Sequence, residues 1–219
     1  MLSVKKLSHW YGQSDKPLYE DVDLSFDAAK VYTIVGASGS GKTTLLSFIA
    51  GLDKPQKGDI FLDGQNIKKI GSTNYRKHEV AIIFQQYNLL TYMSALDNIL
   101  TALSVTGSEH KGEKQYVLDA LKGVGIDEAD AKKNVQKLSG GQQQRVAIIQ
   151  AMLVDANIVI ADEPTGNLDG ENSAMIMKLF QDLAHVHHKT VIIVTHDPKI
   201  ADQGDVKISL EDRKFRIAS

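Results

Sequence analysis

Gly36-Ala37-Ser38-Gly39-Ser40-Gly41-Lys42-Thr43 is the densest chemistry in this 219-residue chain. It follows an apolar run, Val31 to Val35, and opens a helical stretch to about Ala50, where Gly51 suits a helix stop. That strand–loop–helix setting is what a phosphate-binding P-loop requires. Glycines let the backbone fold tightly enough for its N–H groups to point at an anion, and the helix N-terminus adds partial positive charge. Lys42 is then placed for the β- and γ-phosphates of a nucleotide, Thr43 for Mg²⁺, and Thr44 beside them for the same bound group.

A second segment, Ile158 to Ala161 followed by Asp162 and Glu163, is an apolar strand ending in two carboxylates. Strand carboxyl ends in a parallel sheet face the ligand crevice. Asp162 suits the Mg²⁺ hydration shell, and Glu163 suits a general base on water, worth ~10²–10⁴-fold in rate. A third segment, Leu138-Ser139-Gly140-Gly141-Gln142, precedes a helix from Gln143 to Leu153. Ser139 and Gln142 form a capping box, which explains them as helix punctuation. It does not explain Gly140 and Gly141, which point to close backbone approach by another group.

Positioning these segments calls for a sheet. Val31 to Val35, Val80 to Phe84, Ile158 to Ala161 and Val191 to Thr195 are nearly all apolar, as central parallel strands buried on both faces are. With helical stretches between them, the fold class is α/β with a mainly parallel sheet. Val22, Leu24 and Phe26 alternate with polar neighbours, and Asp59 to Asp63 reads similarly, so an antiparallel sheet is expected toward the N-terminus. Residues 87–149 carry helix-like patterns, among them Ser94 to Leu103 and Glu113 to Val124, and no strong strand. They are expected to form a helical subdomain inserted in a core of residues 1–86 and 150–219, all within one domain spanning 1–219. Val206 to Leu210 and Lys214 to Ile217 suit a closing hairpin.

Net charge is −2, which gives no electrostatic footprint for nucleic acid or an anionic membrane. The chain has no cysteine, so disulfides and thiolate metal sites are excluded. The N-terminal residues lack a signal-peptide apolar stretch, and the apolar runs are far too short to span a bilayer, so a membrane role requires a separate membrane partner. His185, His187 and His188 read as a solvated helix end, not a metal site.

In order, the motifs resemble the ATPase cassette of ABC transporters, whose signature is the LSGGQ pentapeptide. The P-loop from Gly36, Gln85, the signature from Leu138, Asp162–Glu163, Asn167-Leu168-Asp169 and His196 all fall in that order, and the resemblance covers essentially the whole chain. It implies hydrolysis of ATP with Mg²⁺, and an ATP-bound homodimer that sandwiches two nucleotides head to tail. Ser139, Gly140, Gly141 and Gln142 would act in trans on the nucleotide held by the partner's P-loop. Gln85 would contact Mg²⁺ or the attacking water and sense the membrane subunit, with adjacent Gln86 leaving the register open by one. His196 would contact the γ-phosphate and orient Glu163, and Asp169 would couple the two sites. Tyr11 matches the aromatic that stacks on adenine, with Trp10 as its rival. A transmembrane permease subunit would hold the cassette peripherally on the cytoplasmic face of the cell membrane.

Phe84 to Leu90 and Pro164 to Asp169 resemble the lipoprotein-releasing, macrolide- and peptide-exporting, and cell-division ATPases, whose membrane partner has few spans and a large extracytoplasmic domain. An importer cassette shares the chemistry and differs in partner. The apolar-rich segment with Tyr87, Leu89, Leu90, Tyr92 and Met93 suits either the permease's coupling helix or the core of the helical lobe. Three positions depart from the family pattern: Ala29-Lys30 replaces Gly-Glu, Gln150 replaces an arginine, and Arg213 replaces a glycine. Because Lys42 supplies the cation that meets the phosphates, Lys42→Ala is expected to lose most nucleotide affinity. Calorimetry checks this, and an unchanged dissociation constant would remove Lys42 from the site.

Overall fold

The computed structural model describes residues 1–12, 17–166 and 170–217. In chain order the elements are β1 (Leu2–Trp10), β2 (Pro17–Phe26), β3 (Lys30–Gly36), α1 (Lys42–Ile49), β4 (Lys57–Leu62), β5 (Gln65–Asn66), α2 (Ile67–Ile70), α3 (Ser72–His78) and β6 (Val80–Ile83). Then follow α4 (Ala95–Thr106), α5 (Lys114–Gly123), α6 (Glu128–Ala131), a 3₁₀ turn (Val135–Lys137), α7 (Gly140–Leu153), β7 (Ile158–Asp162), α8 (Gly170–His185), β8 (Thr190–Thr195), α9 (Pro198–Ala201), β9 (Val206–Glu211) and β10 (Lys214–Ile217).

The larger sheet has the order β10-β9-β3-β8-β7-β6. It is parallel from β9 to β6, and β10 folds back antiparallel on β9 as the expected hairpin. Each all-apolar run divides its side chains between the two faces, as the two-residue period of a strand requires. Val31, Val159, Ala161, Val191 and Ile193 pack with α4, α7 and α8 on one face. Tyr32, Ile34, Ile158, Ile160, Ile192 and Val194 pack on the other with Leu45, Leu46, Phe48 and Ile49 of α1 and with the smaller sheet. The helix that follows the phosphate loop is therefore held between two sheets.

The smaller sheet is antiparallel with the order β2-β1-β4-β5. The expected strands are its β2 and β4; β1, one of its two inner strands, is not among them. Alternation fails there because the strand bulges: Lys6 has φ +47, and the register with both neighbours shifts around it. Leu7, Ser8 and His9 are consequently all buried in succession.

Two of the departures from the family pattern are also backbone events. Ala29 (φ +59) and Arg213 (φ +65) occupy the left-handed region with a side chain attached, so the turns keep the shape that glycine permits, at a cost of roughly 1–3 kcal/mol each. The histidine cluster is exposed, and His185 Nε2 lies 2.9 Å from Asp205 Oδ2.

Gly58 of β4 crosses the β1 bulge with φ +88, and a Cβ there would lie 2.5 Å from Lys6 O and 2.6 Å from Leu7 Cα. Both obstacles are backbone. Gly58→Ala is expected to cost about 2–4 kcal/mol, from strain and overpacking together. Chemical denaturation measures this, and a loss below about 0.5 kcal/mol would mean the two strands are not so closely apposed.

Candidate functional site

β3 ends at Gly36 and α1 begins at Lys42, so the intervening loop sits at the carboxyl end of the parallel strands. Gly36 is backed by β9: a Cβ would lie 2.7 Å from Leu210 O and 3.0 Å from Ser40 Oγ. Gly41 has φ +106 and is backed by β2, with a Cβ 2.7 Å from Leu18 Cδ2 and 3.1 Å from Tyr19 Cε1. Gly39 is also left-handed but faces open space. Ala37 O accepts the Ser40 amide at 3.2 Å, and Ser38 is exposed at the turn. Buried Lys42 bends back over the loop, its Nζ donating to Gly36 O at 2.7 Å and Ala37 O at 3.0 Å.

α1 starts without a side-chain cap. α3 and α5 also begin without one, whereas α2, α4, α6, α7 and α9 begin under Asn66, Ser94, Asp127, Ser139 and Asp197. The first N–H groups of a helix have no intrahelical acceptor. An anion satisfies them best, and in the same loop lies the buried Ser40 Oγ, which has no hydrogen-bond partner among the described residues.

Asp162 closes β7 opposite this helix start, and the Thr43 hydroxyl donates to its Oδ2 at 3.0 Å. Burial, reinforced by Glu163, pushes the Asp162 carboxyl above its usual range, against the opposing pull of Thr43 and Lys42. One hydroxyl and one carboxylate form a hard-oxygen donor set that fits Mg²⁺ completed by water and phosphate, and a cation would relieve the buried carboxylate. The residues fit both ATP and the metal.

Glu163 takes φ +49, a left-handed conformation for a residue with a side chain. Its amide donates to Val194 O at 2.9 Å, which fixes the turn against β8. Its Oε2 lies 2.9 Å from Nδ1 of the exposed His196, just beyond the end of β8. Gln85 lies in the loop after β6, and a Cβ on Gly166 would be 3.7 Å from its Nε2 and 3.8 Å from Glu163 Cβ. Of the two adjacent glutamines, Gln85 is thus the one placed beside the Glu163 turn. Asn167, Leu168 and Asp169 lie outside the described residues.

Ser139 and Gln142 form the expected capping box, with Ser139 N donating to Gln142 Oε1 at 2.9 Å and Gln142 N to Ser139 Oγ at 3.2 Å. Gln142 Nε2 also donates to Asp130 at 2.8 Å, so this side chain is committed within its own lobe. Sequence reasoning did not foresee how the two glycines are surrounded. A Cβ on Gly140 would be 3.2 Å from the Tyr87 hydroxyl, and one on Gly141 3.2 Å from Asn172 Oδ1. Such contacts join segments far apart in the chain and leave no local pattern. Tyr11, 66% exposed, shares a 3.0 Å hydrogen bond with Thr44 Oγ1 at the head of α1. Trp10 is held elsewhere, its backbone bonded to Gln56 and its ring 5.9 Å from Lys57 Nζ.

A glycine-bounded loop between a parallel strand and an uncapped helix, facing a strand-end Asp-Glu pair, defines a P-loop nucleoside triphosphatase. The family model described as ABC transporter matches residues 19–166. An uncharacterized ABC transporter ATP-binding protein of Bacillus subtilis (strain 168), YclH, is 50% identical over 217 residues, covering 99% of this chain and 96% of that one. The macrolide export ATP-binding/permease protein MacB of Photorhabdus laumondii is 36% identical over 97% of this chain, which spans 33% of MacB's length. The dimeric structure of the ABC transporter cassette MJ0796, a Methanocaldococcus jannaschii protein, superposes with a TM-score of 0.88 at 33% identity, covering 100% of this chain and 98% of that one. This chain belongs to the ABC transporter family, as an ATP-binding subunit that hydrolyses ATP with Mg²⁺.

Asp162 carries a testable consequence of its burial. Its folded pKa is raised, so the ligand-free fold binds that proton more readily than the unfolded chain does. The charge therefore costs stability at neutral pH, and the cost disappears as pH falls through the raised value. Asp162→Asn is expected to raise the apo melting temperature at neutral pH by about 1–3 °C while abolishing hydrolysis. The melting-temperature difference should vanish near the ordinary carboxylate range, and a variant less stable than the parent at neutral pH would contradict the argument.

Proposed function

We propose that the chain acts as a homodimer of cassettes on the cytoplasmic face of a membrane, driving a transmembrane permease subunit that exports or extracts its cargo. The relatives support this reading. MJ0796 has been solved as a dimer and in a post-hydrolysis state bound to ADP and Pi, and MacB is described as a macrolide export protein. Among the described residues no helix is long and apolar enough to cross a membrane, in keeping with a separate permease. The proposal includes the division of 1–219 into a core (1–86 and 150–219) and a helical subdomain (87–149).

The observation that carries the hydrolytic assignment is the Glu163–His196 contact beside the Lys42–Thr43 helix start. Glu163 Oε2 takes a proton from water as the water oxygen attacks the γ-phosphorus, and the bond from that phosphorus to the β–γ bridging oxygen breaks. His196 holds the carboxylate in place and reaches the γ-phosphate. Lys42 and the amides of residues 36–44 bind the phosphates, and Tyr11 stacks on adenine. Thr43, Asp162 and Gln85 would hold a Mg²⁺, which would supply positive charge to offset that of the phosphates. Ser139, Gly140, Gly141 and Gln142 present the N-terminus of α7 to the nucleotide of the opposite subunit, and Asp169 couples the two sites.

The segment after Gln85 divides its side chains. Tyr87 and Leu89 pack against the core, whereas Leu90 and Tyr92 are exposed. Tyr92 and Met93 join Leu100 and Val105 of α4 in lining a groove of about 680 Å³, which we assign to a coupling helix of the permease.

Glu163→Gln is expected to keep ATP affinity, lower turnover by at least ~10²-fold and accumulate an ATP-bound dimer. Steady-state ATPase assays and size-exclusion chromatography with ATP read both effects, and near-native turnover would remove Glu163 as the base. The same variant, captured with ATP from detergent-solubilised membranes, identifies the partner. A permease with few spans and a large extracytoplasmic domain supports export, whereas a many-span permease supports the importer reading.

A further inference from the structure

Tyr11 projects from the end of β1 with its ring mostly in solvent. An exposed aromatic has several rotamers open to it, so a face presented to a purine needs something behind it. The structure supplies two restraints. The first is the hydrogen bond to Thr44. The second is His9, two residues earlier, on β1 itself. Its ring lies edge-to-face with Tyr11, centroids 4.6 Å apart at 84°, and tilted against Phe48 of α1, centroids 4.8 Å apart.

His9 is 4% exposed, and neither ring nitrogen has a hydrogen-bond partner among the described residues. A buried polar ring without partners is unfavourable unless its packing compensates. Here the compensation is aromatic, because an edge-to-face pair gains electrostatic attraction beyond buried area. The contacts also close a circuit. His9 touches Tyr11 and Phe48, Phe48 belongs to the helix that begins with the phosphate-binding residues, and Tyr11 returns to that helix at Thr44. The β1 bulge makes this possible by turning His9 inward in succession with Leu7 and Ser8.

We propose that His9 is a positioning residue for the nucleotide base. It fixes the Tyr11 ring relative to the phosphate loop, so that base and triphosphate are bound in register. This rests on the reading of Tyr11 as the adenine platform. His9 does not contact the phosphates, so its influence is confined to ligands that carry a base.

The test compares calorimetric affinities for MgATP and for Mg-tripolyphosphate in the wild-type protein, His9→Leu, His9→Phe and Tyr11→Ala. Leucine fills the pocket without an aromatic edge, and phenylalanine keeps the edge. His9→Leu should weaken ATP about 3- to 10-fold and leave tripolyphosphate unchanged, while His9→Phe should stay within about two-fold of wild type. In a Tyr11→Ala background His9→Leu should have no further effect on ATP. If ATP and tripolyphosphate weaken together, or if His9→Leu binds ATP like wild type while Tyr11→Ala does not, the positioning role is refuted and the platform stands. If Tyr11→Ala itself leaves ATP affinity unchanged, the platform reading fails first.

Discussion

The first amides of α1 have no acceptor inside the helix and no side-chain cap, and much of the architecture preserves that state. Phosphate oxygens can take those N–H groups only if the loop ahead of the helix curls back over its own axis. That geometry is closed to a side chain at two ends, since Gly36 abuts Leu210 of β9 and Gly41 abuts Leu18 and Tyr19 of β2. The two backing strands come from different sheets. The loop is thus clamped between them, and α1 between their apolar faces, through Leu45, Phe48 and Ile49. A helix start held this rigidly pays little reorganisation when an anion arrives, which is the physical content of preorganisation.

The parallel sheet places the remaining chemistry relative to that helix. β3, β8 and β7 are adjacent, so the loop after β3, His196 after β8 and the Asp162–Glu163 pair at the end of β7 emerge side by side. Residues separated by more than a hundred positions meet because strand order brings them together, as with Thr43 and Asp162. The wider face toward α4, α7 and α8 then carries the second helix start, at Ser139. That one is capped by its own serine and glutamine, and its two glycines lie under Tyr87 and Asn172. The two helix starts are therefore different devices. One has no side-chain cap, whereas the other is capped by its own serine and glutamine.

What was legible in the sequence follows from how local each signal is. The P-loop, the capping box, the four apolar strands and the closing hairpin are written in consecutive residues, and they appear where their periodicity and punctuation place them. β1 was not legible because a bulge at Lys6 interrupts its alternation, and the room for that bulge comes from Gly58, far along the chain, where a side chain would collide with it. Ala29 and Arg213 show the converse. The family's glycine is missing from the sequence, yet the backbone retains the left-handed turn, because the strands on either side determine it. The choice between Tyr11 and Trp10 was open for the same reason. Adjacent aromatics look alike in sequence, whereas in the fold they are placed differently: Tyr11 hydrogen-bonds Thr44, and the Trp10 backbone is bonded to Gln56.

Several costs of the ligand-free fold fall in one place. The Asp162 carboxyl is buried enough for its charge to be disfavoured, Glu163 sits at a left-handed φ, Ser40 Oγ is buried with no hydrogen-bond partner among the described residues, and α1 lacks a cap. Any one of these is ordinary in a protein of this size. Three of them are electrostatic, since an anion relieves the helix start and Ser40 and a cation relieves Asp162, whereas the Glu163 backbone strain is independent of ligand charge. A metal–phosphate ligand can relieve both sets of groups at once, whereas an anion or a cation alone relieves only its own, so the combined ligand regains the most of what the apo fold forgoes.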